Sequence, residues 1–186
     1  MIAWITTACL STGTIALAQK QKAMDPATCP MHAEHMKAAK HSEGVDKRGD
    51  EAMGFNHMDN AHHFLMFKDG GAIQVIPKNL SDKDNLKTVR DHLKMIAGMF
   101  SDGNFKLPMF IHDTTVPGTQ TMIKLKSDIS FKYEELPDGA QVRITTANPT
   151  ALKAIYNFIR FQVKDHRTGD PMTVSKVPEL SKPATS

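Results

Sequence analysis

Apolar residues fall into three regimes along this chain: an uncharged run at the start, a long polar stretch with almost none, and a body where period-two and period-3.6 patterns alternate. In the body, "HHFLMFKDGGAIQVIPK" places two apolar, β-rich runs on either side of Asp69-Gly70-Gly71, the pattern of a β-hairpin. The next segment, "SDKDNLKTVRDHLKMIAGMFSDGN", sets Leu86, Val89, Leu93, Ile96, Ala97 and Phe100 on one helical face. Ser81 is its candidate N-cap and Gly103 its stop. A second hairpin is predicted around Pro137-Asp138-Gly139. A second helix follows in "NPTALKAIYNFIRFQVKDH", with Asn148 as cap and Pro149 at its first position.

The fold class this predicts is α+β, an antiparallel sheet from two hairpins with two main helices on one face. The order reads as a ββα duplication, although two independent amphipathic ββα units account for it nearly as well. Between the halves, the connector 104–127 predicts a short strand-like piece ending at His112-Asp113. A Pro117-Gly118 turn and a short helix follow. A polar His-Asp pair directly after an apolar run points to a functional edge. With equal weight, Asp113 only caps a turn.

The flanks read differently. Residues 2–18 carry no charge, and Ala16-Leu17-Ala18 is an A-x-A cleavage signal, so 1–18 is expected to be a secretory signal peptide. A membrane anchor fits less well, because the run is short and broken by Thr, Ser and Gly. Residues 19–52 lack aliphatic and aromatic content and are expected to form a flexible Met/His/Cys tail. The α+β domain then spans 53–170, and 171–186 is a Pro/Ser/Lys tail. This organisation predicts a periplasmic or secreted protein with no membrane contact after cleavage.

Composition sharpens the chemistry. The net charge of +3 comes from 23 basic and 20 acidic residues spread along the chain, which leaves no nucleic-acid footprint. Twelve Met and nine His are the unusual counts. Cleavage would remove Cys9 and leave Cys29 as the mature chain's sole thiol, available for a metal ion or an intermolecular disulfide. Metallopeptidase, nucleophile-elbow, P-loop, dinucleotide-fold and haem-attachment motifs do not occur.

Three clusters carry metal-ligating side chains. The first is "CPMHAEHM", with Cys29, Met31, His32, His35 and Met36, and His41 beyond it. Thiolate and thioether favour Cu(I), imidazole accepts copper or zinc, and the shortage of carboxylates argues against Ca²⁺ and Mg²⁺. The second is "MGFNHMDNAHHF", with Met53, His57, Met58, His62 and His63. In a strand, His62 and His63 point to opposite faces, so one meets the interior and the other solvent. The third is His92 with Met95 and Met99, beside the apolar stripe of the first long helix. Met109, His112 and Met122 could face the same site. His166, in the last turn of the final helix, is accounted for by the helix dipole.

Two resemblances follow from these residues. "CPMH" resembles the CPMHP motif of small heavy-metal-binding segments attached to bacterial metal efflux proteins. Thr28 and Ala33 stand where that motif has Tyr and Pro, so the ligand set carries over rather than the module. "RGDEAMGFNHMDNAHHF", "DGGAIQV", "PMFIHD" and "IRFQVKDHRTGD" resemble a family of small exported bacterial proteins of undefined biochemistry. This second resemblance implies a common fold over about 47–170 and surroundings rich in copper and heavy metals. It brings no activity. Its His-His pair matches His62 and His63, and its His-Asp matches His112 and Asp113.

The leading expectation is a copper-binding protein acting in tolerance or delivery, with zinc as the second metal and a metal efflux or delivery protein as partner. The tail would capture Cu(I), and a body site of His57, His62, His63, His112 and His92 would hold it, with Asp113 nearby. The alternatives are a metal-dependent hydrolase or oxidoreductase using Asp113 as base, or a non-metal interaction module.

Overall fold

A computed structural model describes residues 30–175. Its elements are α1 (Pro30–Met53), β1 (Asn60–Phe67), β2 (Gly70–Pro77), α2 (Lys83–Ser101), α3 (Lys106–His112), α4 (Thr119–Lys124), β3 (Ile129–Leu136), β4 (Gly139–Thr146) and α5 (Pro149–His166). The four strands form one antiparallel sheet in the order β1-β2-β4-β3. Each hairpin is followed by its long helix, and the second strands of the two hairpins meet at the centre. This is the α+β, two-hairpin architecture read from the hydrophobic pattern.

Both turns are two residues long, Lys68-Asp69 and Pro137-Asp138. Gly70 just beyond the first turn has φ +151°, and a Cβ there would lie 1.9 Å from the Ile144 carbonyl oxygen. Only glycine lets β2 approach β4 that closely. In β1, His62, Phe64 and Met66 share the face that meets α2 and α5, while His63 points the other way. Phe64, Ile73, Val142, Ile144 and Phe131 extend that apolar face across the sheet. The polar Gln74, Gln141 and Arg143 line the opposite one.

The six predicted stripe residues of α2 are its buried residues. α5 buries Ala151, Ala154, Ile155, Phe158, Ile159, Gln162 and Val163. Phe100 and Phe158 meet edge to face, and Phe100 stacks on Phe105 with centroids 4.4 Å apart. The α5 N-cap is Asn148, accepting from Thr150 and Ala151 N–H, with Pro149 at the first helical position as expected.

Three expectations are corrected. The α2 cap is Asp82 rather than Ser81: its carboxylate accepts from Asn85 N–H. The strand-like piece ending at His112 is a helix, α3. Its buried Pro108, Ile111 and His112 follow a helical period, and Asp113 in the left-handed region (φ 50°) closes it as C-cap. Residues 30–52 of the expected tail are helical, forming α1 with Met53. Ala, Glu, Lys and Met favour that state locally, but no apolar stripe announces it.

From Met36 onward α1 is held to the body by polar contacts. Arg48 Nε donates to Ile111 O at 2.8 Å, Arg167 donates to both Asp46 oxygens, and His41 meets Asp165 at 2.9 Å. Val45 is its one fully buried apolar side chain. After α5, Asp170 accepts from Phe64 N–H, and Ser175 N–H donates to Met66 O along the open edge of β1. Among the described residues, no helix is long and apolar enough to cross a membrane. The expected signal peptide, Cys29 and residues 176–186 lie outside the described residues.

Candidate functional site

Four imidazoles from four elements reach one cavity. His62 arrives from β1, His92 from α2, His112 from the end of α3 and His166 from the end of α5. Met53, the last residue of α1, and Gln162, one turn before His166, complete its polarisable and polar lining. Phe64, Ile73, Val75, Leu93, Ile96 and Phe158 form most of the apolar wall, and the volume is about 70 Å³. No carboxylate lines it.

The chain builds this convergence with simple periodicities. His62 shares the inward face of β1 with Phe64. His92 sits just N-terminal to Leu93 on the stripe of α2, its ring edge-on to Phe55 with centroids 5.5 Å apart. Gln162 and His166 continue the buried stripe of α5 at i, i+4 spacing from Phe158. His62 and His166 lie nearly parallel with centroids 6.2 Å apart, and His112 stands edge-on to His166 at 4.8 Å.

Burial governs the charge of the open members. Desolvation pushes the pKa of His62 down to about 4, aided by His92, His57 and His63. It takes His92 to about 4 and His166 to about 3, the latter helped by His112 and His62. All three are therefore neutral at pH 7 and carry a nitrogen lone pair. His62 Nε2 lies 3.3 Å from Met53 Sδ. Two such donors bound to one tetrahedral ion at roughly 2.0 and 2.3 Å would stand about 3.5 Å apart, so the pair is already near that separation. Without an ion, the imidazole N–H donates to the thioether, and ligation requires the hydrogen to move to Nδ1.

His112 is different. Its Nδ1 meets Asp165 Oδ2 at 2.5 Å and its Nε2 meets Gln162 Oε1 at 2.9 Å, with the residue 1 % exposed. Both ring nitrogens are engaged by neighbouring side chains, so neither is free for a metal. Burial alone would raise the Asp165 pKa, but hydrogen bonds from His112 and His41 outweigh it and hold the carboxyl below its ordinary value. Asp165 thus joins the buried His112 to His41, which is exposed.

The remaining predicted ligands lie outside this cavity. His57 Nδ1 pairs with Asp50 at 2.9 Å, and His63 Nδ1 pairs with Asp170 at 2.9 Å. Neither lines this cavity, which holds His62, His92 and His112 of the expected body set; His57 and His63 line a second, open pocket with His62 and His166. Asp113 is exposed as the α3 C-cap and supplies no base to the cavity. Met31, His35 and Met36 lie exposed on α1, and His32 belongs to the same helix. Met95 is 47 % exposed and Met122 is core, so neither serves the site. Among the described residues, no group of three or more His, Cys, Asp or Glu side chains is placed to hold a metal ion.

Met53 belongs to the second ligand cluster of the sequence but not to the expected body set, His166 was accounted for by the helix dipole, and Gln162 and Asp165 were not anticipated. Gln162 and His166 were legible as polar residues at positions where the α5 stripe should be apolar. Comparison of the chain with protein-family models, curated proteins and solved structures returns no match.

Proposed function

We propose that this is an exported, periplasmic or secreted copper-binding protein that takes Cu(I) into the cavity through Met53 and His62, with His92 and His166 as further ligands. The observation that carries this reading is the 3.3 Å approach of a thioether to an imidazole at the wall of an otherwise apolar cavity. Neutral imidazole and thioether donors without carboxylates suit Cu(I) better than zinc or harder ions. His62, His92 and His166 are not placed to share one ion as they stand, so loading in this reading requires their side chains to rotate. Cys29, Met31, His32, His35 and Met36 are the capture set in this reading, and a metal efflux or delivery protein is the source or recipient.

Competition titration of the mature protein with a Cu(I) chelator tests it. Met53→Leu and His62→Ala should each weaken affinity by at least the roughly 10–100-fold that loss of an outer-shell partner costs. Unchanged affinity in both would sink the cavity site.

The pH profile separates cavity from tail. Because His62, His92 and His166 stay neutral down to about pH 4, cavity affinity should be flat between about pH 7.5 and 5.5. A site of exposed histidines with ordinary pKa values loses about tenfold per imidazole over that range. Affinity titrations at four pH values, on wild type and on a His32→Ala/His35→Ala variant, read this directly.

A further inference from the structure

The open pocket at the start of β1 shares the rings of His62 and His166 with the cavity, and His57, Met58 and His63 line it as well. His57 and His63 are oriented alike. His57 Nδ1 lies 2.9 Å from Asp50 Oδ1, which also accepts the His57 backbone N–H, and His63 Nδ1 lies 2.9 Å from Asp170 Oδ1. Asp170 Oδ2 accepts from Phe64 N–H and from the Thr168 hydroxyl. A carboxylate offers only lone pairs, so it fixes the ring hydrogen on Nδ1 whether the imidazole is neutral or charged. The lone pair of the neutral ring then belongs to Nε2, and neither Nε2 has a hydrogen-bond partner among the described residues. A carboxylate on one ring nitrogen, with the other left open, is how metal-ligating histidines are held. Both rings also stand close enough to His62 to help depress its pKa.

The surroundings favour a soft cation. Met58, 63 % exposed on the turn His57–Asp59, brings a thioether to the same pocket. Asn56 fixes that turn, its side chain accepting the Met58 N–H. Two positive side chains line the pocket, and both are engaged: Arg167 donates to both oxygens of Asp46, and Lys78 donates to Met58 O. Asp46, Asp50 and Asp170 outnumber them, so an arriving cation meets net negative charge. Among the described residues no three His, Cys, Asp or Glu are placed to hold an ion, so a third ligand beside two imidazoles has to be sulfur. Thioether with imidazole selects Cu(I) over harder ions. We propose that this open pocket is a second soft-metal site, with His57 Nε2, His63 Nε2 and Met58 Sδ as ligands for Cu(I). It does not depend on metal binding in the cavity.

Ag(I) is a closed-shell probe with the ligand preference of Cu(I). Titrated into the mature Cys29→Ser protein, which lacks the competing thiol, it should move His57 Nε2, His63 Nε2 and the Met58 methyl in a single saturating step. Long-range ¹H–¹⁵N and methyl-detected NMR spectra read each atom separately. Met58→Leu, at an exposed position, should weaken that step by at least roughly 10-fold. Asp170→Asn should weaken it roughly 10–100-fold. In that variant the amide oxygen stays on Phe64 N–H, the NH₂ faces His63 Nδ1, and the ring hydrogen moves to Nε2. If Asp170→Asn does not fold, Met58→Leu carries the comparison. Unmoved His57 and His63 nitrogens at saturation, separate steps for the two rings, or unchanged affinity in Met58→Leu would each overturn the site. His92 and His166 report on the cavity in the same spectra. A silent cavity beside responding His57 and His63 supports the outer site and contradicts only the cavity reading.

Discussion

Lowering the pH of the metal-free protein from 7 to 4 should destabilise it by about 9 kcal/mol, with most of the loss between about pH 6 and 4. His62, His92 and His166 have folded pKa values of about 4, 4 and 3, against about 6.5 in an unfolded chain. Below pH 6.5 the unfolded state binds more protons than the folded one, so stability falls as pH falls. Each histidine held neutral contributes a slope of about 1.4 kcal/mol per pH unit, and three together about 4. Relative to pH 7 the three together cost about 6 kcal/mol by pH 5 and about 9 by pH 4, so a domain in the lower half of the usual 5–15 kcal/mol range reaches its midpoint between about pH 5 and 4. Asp165 does not compensate: its lowered pKa keeps its contribution in place through this window, to be lost only below the ordinary carboxylate range. Circular dichroism against pH reads the transition. His92→Leu, which removes one proton from the count, should move the midpoint to lower pH. Stability independent of pH from 7 to 4.5 would contradict the burial of these rings.

Asp165→Ala should cost about 1–3 kcal/mol, the usual cost of leaving a buried donor without its acceptor. The substitution strips His112 Nδ1 of its acceptor while the ring stays 1 % exposed, and it also releases His41. His41→Ala cuts the exposed arm of the same carboxylate and should cost under about 1 kcal/mol. Urea denaturation midpoints of the two variants make the comparison. Equal effects would mean that Asp165 acts mainly as an anchor for α1 rather than as the partner of a buried imidazole.

The strands and long helices could be read from periodicity because each presents one continuous apolar face to the other layer. Leu86 through Phe100 is the clearest case, and the His62/His63 alternation placed one ring inside and one outside as strand geometry requires. α1 escaped that reading because its attachment runs through Arg48, Asp46 and His41 rather than an apolar stripe. α3 escaped because "FKLPMFIH" is equally apolar on a two- or four-residue period, and its proline, buried in the first turn of the helix, reads as a breaker. The site itself was half legible. His62 and His92 could be singled out as potential ligands, whereas their meeting with Met53 and His166 depends on four elements arriving at one point. His57 and His63 looked equivalent to His62 on paper. Their separation from the cavity depends on Asp50 and Asp170, whose positions are fixed only by tertiary structure. Gln162 carried a signal of its own, a polar side chain on an apolar stripe.

The most direct test of the copper reading is X-ray absorption on the mature protein loaded with one equivalent of Cu(I), compared with Met53→Leu and Cys29→Ser variants. The account predicts imidazole nitrogen at roughly 2.0 Å and one sulfur at roughly 2.3 Å, with the sulfur contribution lost in Met53→Leu and kept in Cys29→Ser. A sulfur signal that survives Met53→Leu and vanishes in Cys29→Ser would place the ion on the tail and contradict the cavity site.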